Sequence, residues 1–249
     1  MAMAREKRFG MTAPLPLVFL LDVDNTLFDN DAFRADLSAR LERDLGVAAR
    51  DRYWALYEQR RERLGYADYL GSLQDFSDGK EPDALLLQLP GYLLDYPFAQ
   101  RLYSGALEAI AYLQGVGQPV VLSDGDAVFQ PRKVQRSGIW DAVAGRVLIY
   151  AHKQNELASV QRRFPAEHYV MVDDKPWLLD AMKRLMGSRL TTVFVRQGHY
   201  AHQPPPVPIR VPPDLVIEHI GDLMALESRD FHAPCARVAM PSDAAAGST

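Results

Sequence analysis

The amino-acid sequence predicts an α/β protein: a doubly wound, Rossmann-like parallel sheet with an inserted all-helical cap domain. An apolar run, "PLVFLL", is followed at once by "DVD" and predicts a strand over residues 17–23. From residue 104 to 195, short β-branched runs alternate with helical stretches, which is typical of a parallel sheet covered by helices on both faces. Residues 29–99 have helical patterns and are predicted to form an insertion after the first strand.

The predicted insertion begins with an amphipathic helix. In "DAFRADLSARLERDLG", four apolar residues recur at a spacing of four, and the pattern stops at Gly46, a typical helix C-cap. The segment "RDRYWALYEQRRERLGYADYL" continues the helical pattern. The next segment, "PDALLLQLPGYLLDYP", begins with Pro82 and is predicted to be interrupted at Pro90. We therefore expect a separate helical cap over the edge of the sheet.

Strands and helices alternate through the rest of the predicted core. Strand patterns occur in "PVVLSDGD", "RVLIYAHK", "HYVMVDD" and "LTTVFVRQG", and helical patterns in "GALEAIAYLQGVG", "QPRKVQRSG" and "PWLLDAMKRLMG". The proline-rich residues 202–214 predict an extended connection to a last short strand within "DLVIEHI".

The elements imply a division of the chain into a core, a cap and two tails. The α/β core is predicted to consist of residues 14–28 and 100–227, and the helical cap of residues 29–99. Residues 1–13 and 228–249 have little to bury, so they are predicted to be flexible termini.

Composition excludes several classes of protein. The 28 basic and 32 acidic residues of the 249 give a net charge of −4 without a basic block, which argues against nucleic-acid binding. No apolar run approaches the roughly 18 residues of a membrane helix. The first apolar run is broken by Asp22 and Asp24 without a cleavage site, which argues against a signal peptide, and a single cysteine, Cys235, fits a reducing compartment. We therefore expect a cytoplasmic protein.

Polar residues follow four of the predicted strands. In a parallel α/β sheet, ligands gather beyond the carboxyl ends of the strands, so these residues are the candidate site. Aspartates predominate, and carboxylate oxygens suit a hard cation such as Mg²⁺, which characteristically binds a few carboxylates together with a substrate phosphate. The candidate residues are Asp22, Asp24, Ser123, Lys153, Asp173 and Asp174.

These residue types have a coherent chemical interpretation. With Mg²⁺ holding one oxygen of Asp22, the other oxygen is free to attack phosphorus and form an aspartyl-phosphate. Asp24, two residues on, can protonate the leaving oxygen and then deprotonate water. Ser123 would donate a hydrogen bond to a phosphoryl oxygen, and Lys153 would neutralise the charge of the phosphoryl group and Asp22.

The segment "DVDNT", the serine in "VVLSDGD", Lys153 and the segment "VMVDD" resemble the four motifs of the haloacid dehalogenase superfamily of hydrolases. The resemblance covers most of residues 16–227. The resemblance implies that Asp22 is the nucleophile and that Asp24 is the acid and base, with its backbone carbonyl also binding Mg²⁺. It further implies metal contacts from Asp173 and Asp174, and a cap of the type this family inserts between its first two motifs.

The sequence also departs from the family pattern. Lys175 follows the acidic pair where many relatives have a small hydroxyl residue, and Gln154 rather than proline follows Lys153. These two differences make it harder to assign the chain to a subfamily, but they leave the candidate catalytic residues in place. Dehalogenases of the family usually lack the second aspartate of the first motif, so Asp24 favours phosphoryl transfer over cleavage of a carbon–halogen bond.

The predicted function is that of a Mg²⁺-dependent phosphatase that hydrolyses a small phosphate monoester. The alternatives are a 2-haloacid dehalogenase, a phosphomutase and a non-catalytic binding protein with the same fold. A receiver domain of a signalling relay is disfavoured, because its acidic pair precedes the phosphorylated aspartate. The predicted partner is a small phosphorylated metabolite, and its identity and the oligomeric state are left open.

Some residues have more than one interpretation. Lys133 competes with Lys153 for the role of the lysine, but it lies a full helical stretch beyond its strand. Asp124 and Asp126 are predicted to be turn formers in "SDGD". In the cap, six residues could meet a second anionic or polar group of a substrate, although most of them fit a solvated helix face. They are Arg60, Arg61, Arg63, Tyr66, Tyr69 and Lys80.

Overall fold

The computed structural model describes residues 15–78 and 84–232. Its centre is a parallel sheet in the order β3-β2-β1-β4-β5-β6. The strands are β1 (Leu15–Leu21), β2 (Gln118–Asp124), β3 (Val147–Tyr150), β4 (Ala166–Asp173), β5 (Leu190–Val195) and β6 (Leu215–Ile217). The α/β fold class with a parallel sheet is therefore confirmed.

Helices flank this sheet and fill the segment between β1 and β2. Within the described residues they are α1 (Asn30–Leu45), α2 (Val47–Leu64), α3 (Tyr69–Ser77), α4 (Ala84–Asp95), α5 (Ala106–Val116), α6 (Phe129–Arg136), α7 (Ile139–Ala142), α8 (Leu157–Arg163), α9 (Pro176–Met186) and α10 (Gly198–Ala201). No helix in this part of the chain combines the length and the apolar character needed to cross a membrane.

The central strand β1 is buried on both faces. Leu17, Phe19 and Leu21 belong to one hydrophobic cluster, and the alternate residues Val18 and Leu20 belong to the other. Successive side chains of a strand point to opposite faces, so the two clusters are the two layers of core on either side of the sheet. This explains why the strand is a continuous apolar run rather than an alternating pattern.

The order of the strands determines where a ligand can bind. The chain proceeds outward from β1 through β2 to β3 on one side, and through β4, β5 and β6 on the other. The sheet therefore has its switch point beside β1. In open parallel sheets the crevice at the carboxyl ends of the strands next to this point is where ligands bind.

The helical character predicted for the insertion is observed in its described residues. Phe33, Leu37 and Leu41 of α1 are buried, and α1 ends at Gly46, whose φ of 87° favours glycine. The division of the chain into a separate cap and core remains a prediction. The far end of α2 approaches the core at Gly65, where an added Cβ would overlap the ring of His152.

Pro90 does not interrupt the helix as predicted, because α4 continues through it to Asp95. Proline removes one backbone hydrogen bond and crowds the preceding turn. Burial offsets this cost, since Leu86, Leu89 and Leu93 are buried on one face of α4 while Pro90 is exposed on the other.

The predicted boundary of the core at residue 227 falls too early. Phe231 is fully buried, and its ring lies 4.9 Å from that of Phe19 in an edge-to-face arrangement. The Thr191 hydroxyl donates to the Phe231 carbonyl at 2.9 Å. The packed chain therefore includes residues 228–232, which belong to the predicted flexible terminus 228–249. The rest of that terminus and the predicted flexible residues 1–13 lie outside the described residues.

Candidate active site

Three buried carboxylates meet at the carboxyl ends of β1 and β4. Asp22, Asp173 and Asp174 each place one oxygen within 4.8 Å of those of the other two. The pairing of the strands produces this arrangement, because β1 and β4 run side by side and the Asp22 N–H donates to the Val172 carbonyl at 3.0 Å. The cluster consists of hard oxygen donors and could hold a divalent cation.

A tight turn follows Asp22 and keeps Asp24 near it. The Val23 carbonyl accepts hydrogen bonds from the N–H groups of Leu27 and Phe28, both at 2.9 Å. Asn25 within this turn has a φ of 60°, a left-handed conformation that asparagine tolerates better than most residues. The turn reverses the chain within a few residues, and the two aspartates line the same cavity.

Lys153 bridges two members of the carboxylate cluster. Its Nζ contacts Asp22 Oδ1 and lies 2.6 Å from Asp173 Oδ2, and the side chain is fully buried. Burial alone would lower the pKa of Lys153, but the charges of Asp173 and Asp22 outweigh it, so its pKa is above the usual value. A protonated lysine therefore lies against Asp22, and its catalytic role remains a prediction.

Asp124 positions Lys153, whereas the sequence predicted only a turn former at Asp124. Its Oδ1 accepts the backbone N–H of Lys153 at 2.7 Å. The neighbouring Asp126 has a more local function, because its Oδ1 accepts the N–H groups of Val128 and Phe129, both at 2.7 Å, at the start of α6.

Asp174 is the least satisfied of the three clustered carboxylates. Both of its oxygens are buried without a hydrogen-bond partner, and Lys175 Nζ lies 4.0 Å from Oδ1. Burial raises the pKa of Asp174 well above its usual range, and burial also raises that of Asp173. An unpartnered buried carboxylate is costly, and a bound cation would remove this cost, so the donor set fits a divalent metal ion.

The second lysine lies against the second aspartate. Lys133 Nζ lies 2.5 Å from Asp24 Oδ1 and 3.3 Å from Asn30 Oδ1, and the side chain is fully buried. Lys133 and Lys153 therefore do not compete for one position, because each contacts a different aspartate. The sequence of α6 indicated that Lys133 is buried, because Lys133 is four residues after the apolar Phe129 and therefore lies on the same face of the helix.

Gln130 joins two of the predicted site residues and was not selected from the sequence. Its Nε2 donates to Ser123 Oγ at 2.9 Å and lies 3.2 Å from Asp24 Oδ2. The Ser123 hydroxyl donates to the Asp124 carbonyl at 3.2 Å. The helix α6 thus contributes two side chains, from Gln130 and Lys133, that hold Asp24 from different directions.

A cavity of about 450 Å³ joins this region to the helical insertion. Asp22, Asp24 and Ser123 are among its lining residues. Lys153 contacts Asp22, and Asp173 Oδ2 lies 2.6 Å from Lys153 Nζ. The size is that of a site for a small organic ligand. From α1, α2 and the residues after α2, the lining residues are Asn30, Arg34, Tyr57, Arg61, Gly65, Tyr66 and Ala67.

Comparisons with known proteins identify relatives among solved structures. No family model matches the chain, and no curated protein matches it. A structure from Burkholderia xenovorans LB400, described as a haloacid dehalogenase-like hydrolase, is 51% identical with a TM-score of 0.82, over 88% of this chain and 100% of that chain.

More distant structures share the fold. The HAD-hydrolase YfnB from Bacillus subtilis, solved bound to magnesium, is 20% identical with a TM-score of 0.59, over 84% of this chain and 97% of that chain. L-2-haloacid dehalogenase from Xanthobacter autotrophicus is 20% identical with a TM-score of 0.53, over 84% of this chain and 96% of that chain. Given the 51% identity over the full length of the Burkholderia structure, the chain belongs to the haloacid dehalogenase-like hydrolases and is an enzyme of that kind.

Proposed function

We propose that this hydrolase is a Mg²⁺-dependent phosphatase, which cleaves a small phosphate monoester through an aspartyl-phosphate on Asp22. The observation that carries the proposal is the second aspartate, Asp24, which lines the same cavity as Asp22. An alkoxide leaving group needs a proton, and Asp24 is an acid near the nucleophile that can supply it. A halide leaving group would need no proton.

The carboxylate cluster supports a role for Mg²⁺. Asp22, Asp173 and Asp174 would hold the ion together with the backbone carbonyl of Asp24. A bound Mg²⁺ supplies the positive charge that allows a phosphate dianion to approach several carboxylates. The magnesium-bound state of the structural neighbour YfnB and the unpartnered oxygens of Asp174 both support this assignment.

In the first proposed step, a carboxylate oxygen of Asp22 forms a bond to phosphorus. The bond between phosphorus and the ester oxygen breaks, and the leaving oxygen takes the proton of Asp24. Lys153 keeps a positive charge at Asp22 while the phosphoryl group is attached to it. Ser123 lines the cavity, and its hydroxyl, which Gln130 Nε2 contacts, would donate to a phosphoryl oxygen.

In the second proposed step, water attacks the phosphorus of the aspartyl-phosphate. Asp24, now ionised, accepts a proton from this water, inorganic phosphate leaves, and the Asp22 carboxylate is restored. A mutase would share the first step and return the phosphoryl group to a substrate hydroxyl. Release of inorganic phosphate distinguishes the two reactions.

The test combines Mg²⁺ dependence with identification of the nucleophile. We expect hydrolysis of p-nitrophenyl phosphate to require Mg²⁺ and to stop in excess EDTA. Asp22→Asn should abolish turnover, since the amide is nearly isosteric but cannot attack phosphorus. Asp180→Asn is the matched control, because Asp180 is buried, pairs with Arg184 and does not line the cavity.

Mass spectrometry of the acid-quenched enzyme should find the phosphoryl group on Asp22. Trapped phosphate on another residue would contradict the assignment of the nucleophile. Undiminished turnover in EDTA would contradict the requirement for Mg²⁺.

A further inference from the structure

Two arginines of the helical insertion line the cavity. Arg34 of α1 and Arg61 of α2, here called the arginine pair, both line the cavity that contains Asp22. They converge on one carboxylate: Arg34 Nη2 lies 3.1 Å from Glu58 Oε1, and Arg61 Nη1 lies 2.9 Å from Glu58 Oε2. Two guanidinium groups therefore share a single negative charge.

The acidic groups of neighbouring elements are engaged elsewhere. Asp68 pairs with Arg60 at 2.6 Å, and Asp31 contacts His199 at 2.6 Å. Among the described residues, Glu58 is the one carboxylate that pairs with the arginine pair. Because arginine is always protonated in proteins, the arginine pair and Glu58 together carry a net positive charge.

Aromatic rings hold the arginine pair in place. The Arg34 guanidinium lies over the rings of Trp54 and Tyr57, at 4.6 Å and 4.9 Å from their centroids. Arg61 donates to the Tyr200 hydroxyl and lies 5.8 Å from the centroid of that ring. A guanidinium that is already oriented loses less freedom when it binds an anion, so the pair is preorganised.

We infer that the arginine pair binds a second anionic group of the substrate. Together with the proposed phosphatase activity, on which this inference rests, it defines the substrate class as a phosphate monoester whose organic part carries a carboxylate or a second phosphate. The planar fork of arginine binds both groups in a bidentate manner. The phosphoryl group is held at Asp22, and the aromatic rings of Tyr57, Tyr66 and Trp177 line the cavity.

Of the six cap residues that the sequence offered for contact with a second anionic or polar group, the structure places some at the cavity and others away from it. Arg61 and Tyr66 line the cavity, whereas Arg60 is occupied by Asp68 and Arg63 is exposed. Tyr69 is buried, and Lys80 lies outside the described residues. Arg34 was absent from that set, because a helical pattern does not reveal which arginine of α1 faces a cavity.

The test measures binding with pairs of ligands that differ in one group. Asp22→Asn protein with Mg²⁺ is titrated by calorimetry with 6-phosphogluconate and sorbitol 6-phosphate, and with 3-phosphoglycerate and glycerol 3-phosphate. In each pair a carboxylate replaces a hydroxymethyl group. We expect the carboxylate to tighten binding about tenfold or more in at least one pair, as a charge-assisted hydrogen bond would.

Three substitutions, each added to the Asp22→Asn protein, test whether the preference for the carboxylate ligand depends on the arginine pair. Arg34→Gln and Arg61→Gln should each reduce the preference for the carboxylate ligand severalfold. Glu58→Gln should increase the preference for the carboxylate ligand, because removal of the competing carboxylate frees both guanidinium groups. Damage to the fold could not explain such an increase, because it would weaken binding. Arg63→Gln is the control, since Arg63 lies on the same helix but is exposed.

The outcomes separate this inference from the proposed function. Equal affinities within both pairs, absent binding of both acids, or a weaker preference in Glu58→Gln would overturn the inference, even if p-nitrophenyl phosphate is hydrolysed. A carboxylate preference that falls in the two arginine variants and rises in Glu58→Gln supports it. If the same pattern is found but the wild-type protein hydrolyses no phosphate ester, the anion-binding role of the arginine pair would stand and the proposed phosphatase activity would be refuted.

Discussion

Lys133 Nζ lies 2.5 Å from Asp24 Oδ1, and the lysine side chain is fully buried. The rings of Phe28 and Phe129 lie 5.0 Å and 5.3 Å from the ammonium group. Asp24 is the one carboxylate with which Lys133 pairs in the part of the chain that the structure describes. The lysine is therefore a positioning residue, which fixes the direction of the proposed acid and base.

We predict that Lys133→Met slows hydrolysis of an alkyl phosphate by about 10- to 100-fold, because an unpaired Asp24 no longer points reliably at the leaving oxygen. The loss should be smaller with p-nitrophenyl phosphate, whose leaving group departs with little help from a proton. The measurement is kcat for both esters in both proteins.

The control for this variant is Lys183→Met. Lys183 also pairs with an aspartate, Asp214, at 2.8 Å, but neither residue lines the cavity. We expect Lys183→Met to lower the temperature of unfolding without any dependence of turnover on the leaving group. An equal loss on both esters in Lys133→Met would contradict a positioning role.

Asp24→Asn tests the choice between phosphatase and dehalogenase. We predict that turnover of an alkyl phosphate falls by about 10²- to 10⁴-fold, the usual contribution of a positioned general acid or base. A dehalogenase would show the opposite result, since a halide leaves without a proton. Steady-state turnover of both proteins on the best phosphate ester and on 2-chloropropionate distinguishes the two activities. Full activity of Asp24→Asn with release of halide would overturn the proposed phosphatase activity.

Much of the fold could be predicted because each element has a clear local pattern. The continuous apolar run of β1 predicts a strand buried on both faces, and the spacing of Phe33, Leu37 and Leu41 predicts α1. Two errors arose where tertiary packing decides the outcome. The helix α4 continues through Pro90 because its opposite face is buried, and Phe231 anchors a polar segment that has no periodic pattern.

The candidate site was predictable to the extent that it lies at strand ends. The strand pairing brings Asp22, Asp173 and Asp174 together, and their catalytic and metal-binding roles remain predictions. Gln130 and Arg34 could not be selected in this way. They lie on helices, where the direction of a side chain depends on how the helix is rotated against its neighbours, and this rotation is a product of packing rather than of local sequence.

Asp174→Asn provides a test of the metal site that does not depend on activity. We predict that Mg²⁺ raises the temperature of unfolding of the wild-type protein, since an ion at 100 times its Kd adds about 2.7 kcal/mol to the free energy of unfolding. The variant should lose most of this increase. In the absence of metal we expect the variant to be at least as stable as the wild type, because both oxygens of the Asp174 carboxylate are buried without a hydrogen-bond partner.

Asp180→Asn is the matched control for the metal experiment. Asp180 is also buried, but it pairs with Arg184 at 3.2 Å and lies outside the carboxylate cluster. This variant should keep the full effect of Mg²⁺ on unfolding. An undiminished effect in Asp174→Asn would show that the ion binds elsewhere.

Thr191 links the segment around Phe231 to the titratable side chain of His168. The Thr191 hydroxyl donates its proton to the Phe231 carbonyl, so its oxygen must accept from His168 Nε2, which lies 2.9 Å away. Burial and the neighbouring His232, whose ring centroid lies 5.2 Å from that of His168, lower the pKa of His168. The neutral ring is therefore the form that the folded protein favours.

This shift predicts the sign of a change in stability with pH. In the unfolded chain His168 has its ordinary pKa of about 6.5, so below that pH the unfolded state binds more protons than the folded state. The free energy of unfolding should therefore fall as the pH decreases from about 7.5 to about 5.5. We expect the fall to be smaller in His168→Gln, which keeps a donor for Thr191 but cannot titrate, and unchanged in His202→Gln, where the histidine is exposed. Urea unfolding at both pH values measures the difference, and equal falls in wild type and His168→Gln would exclude His168 as its source.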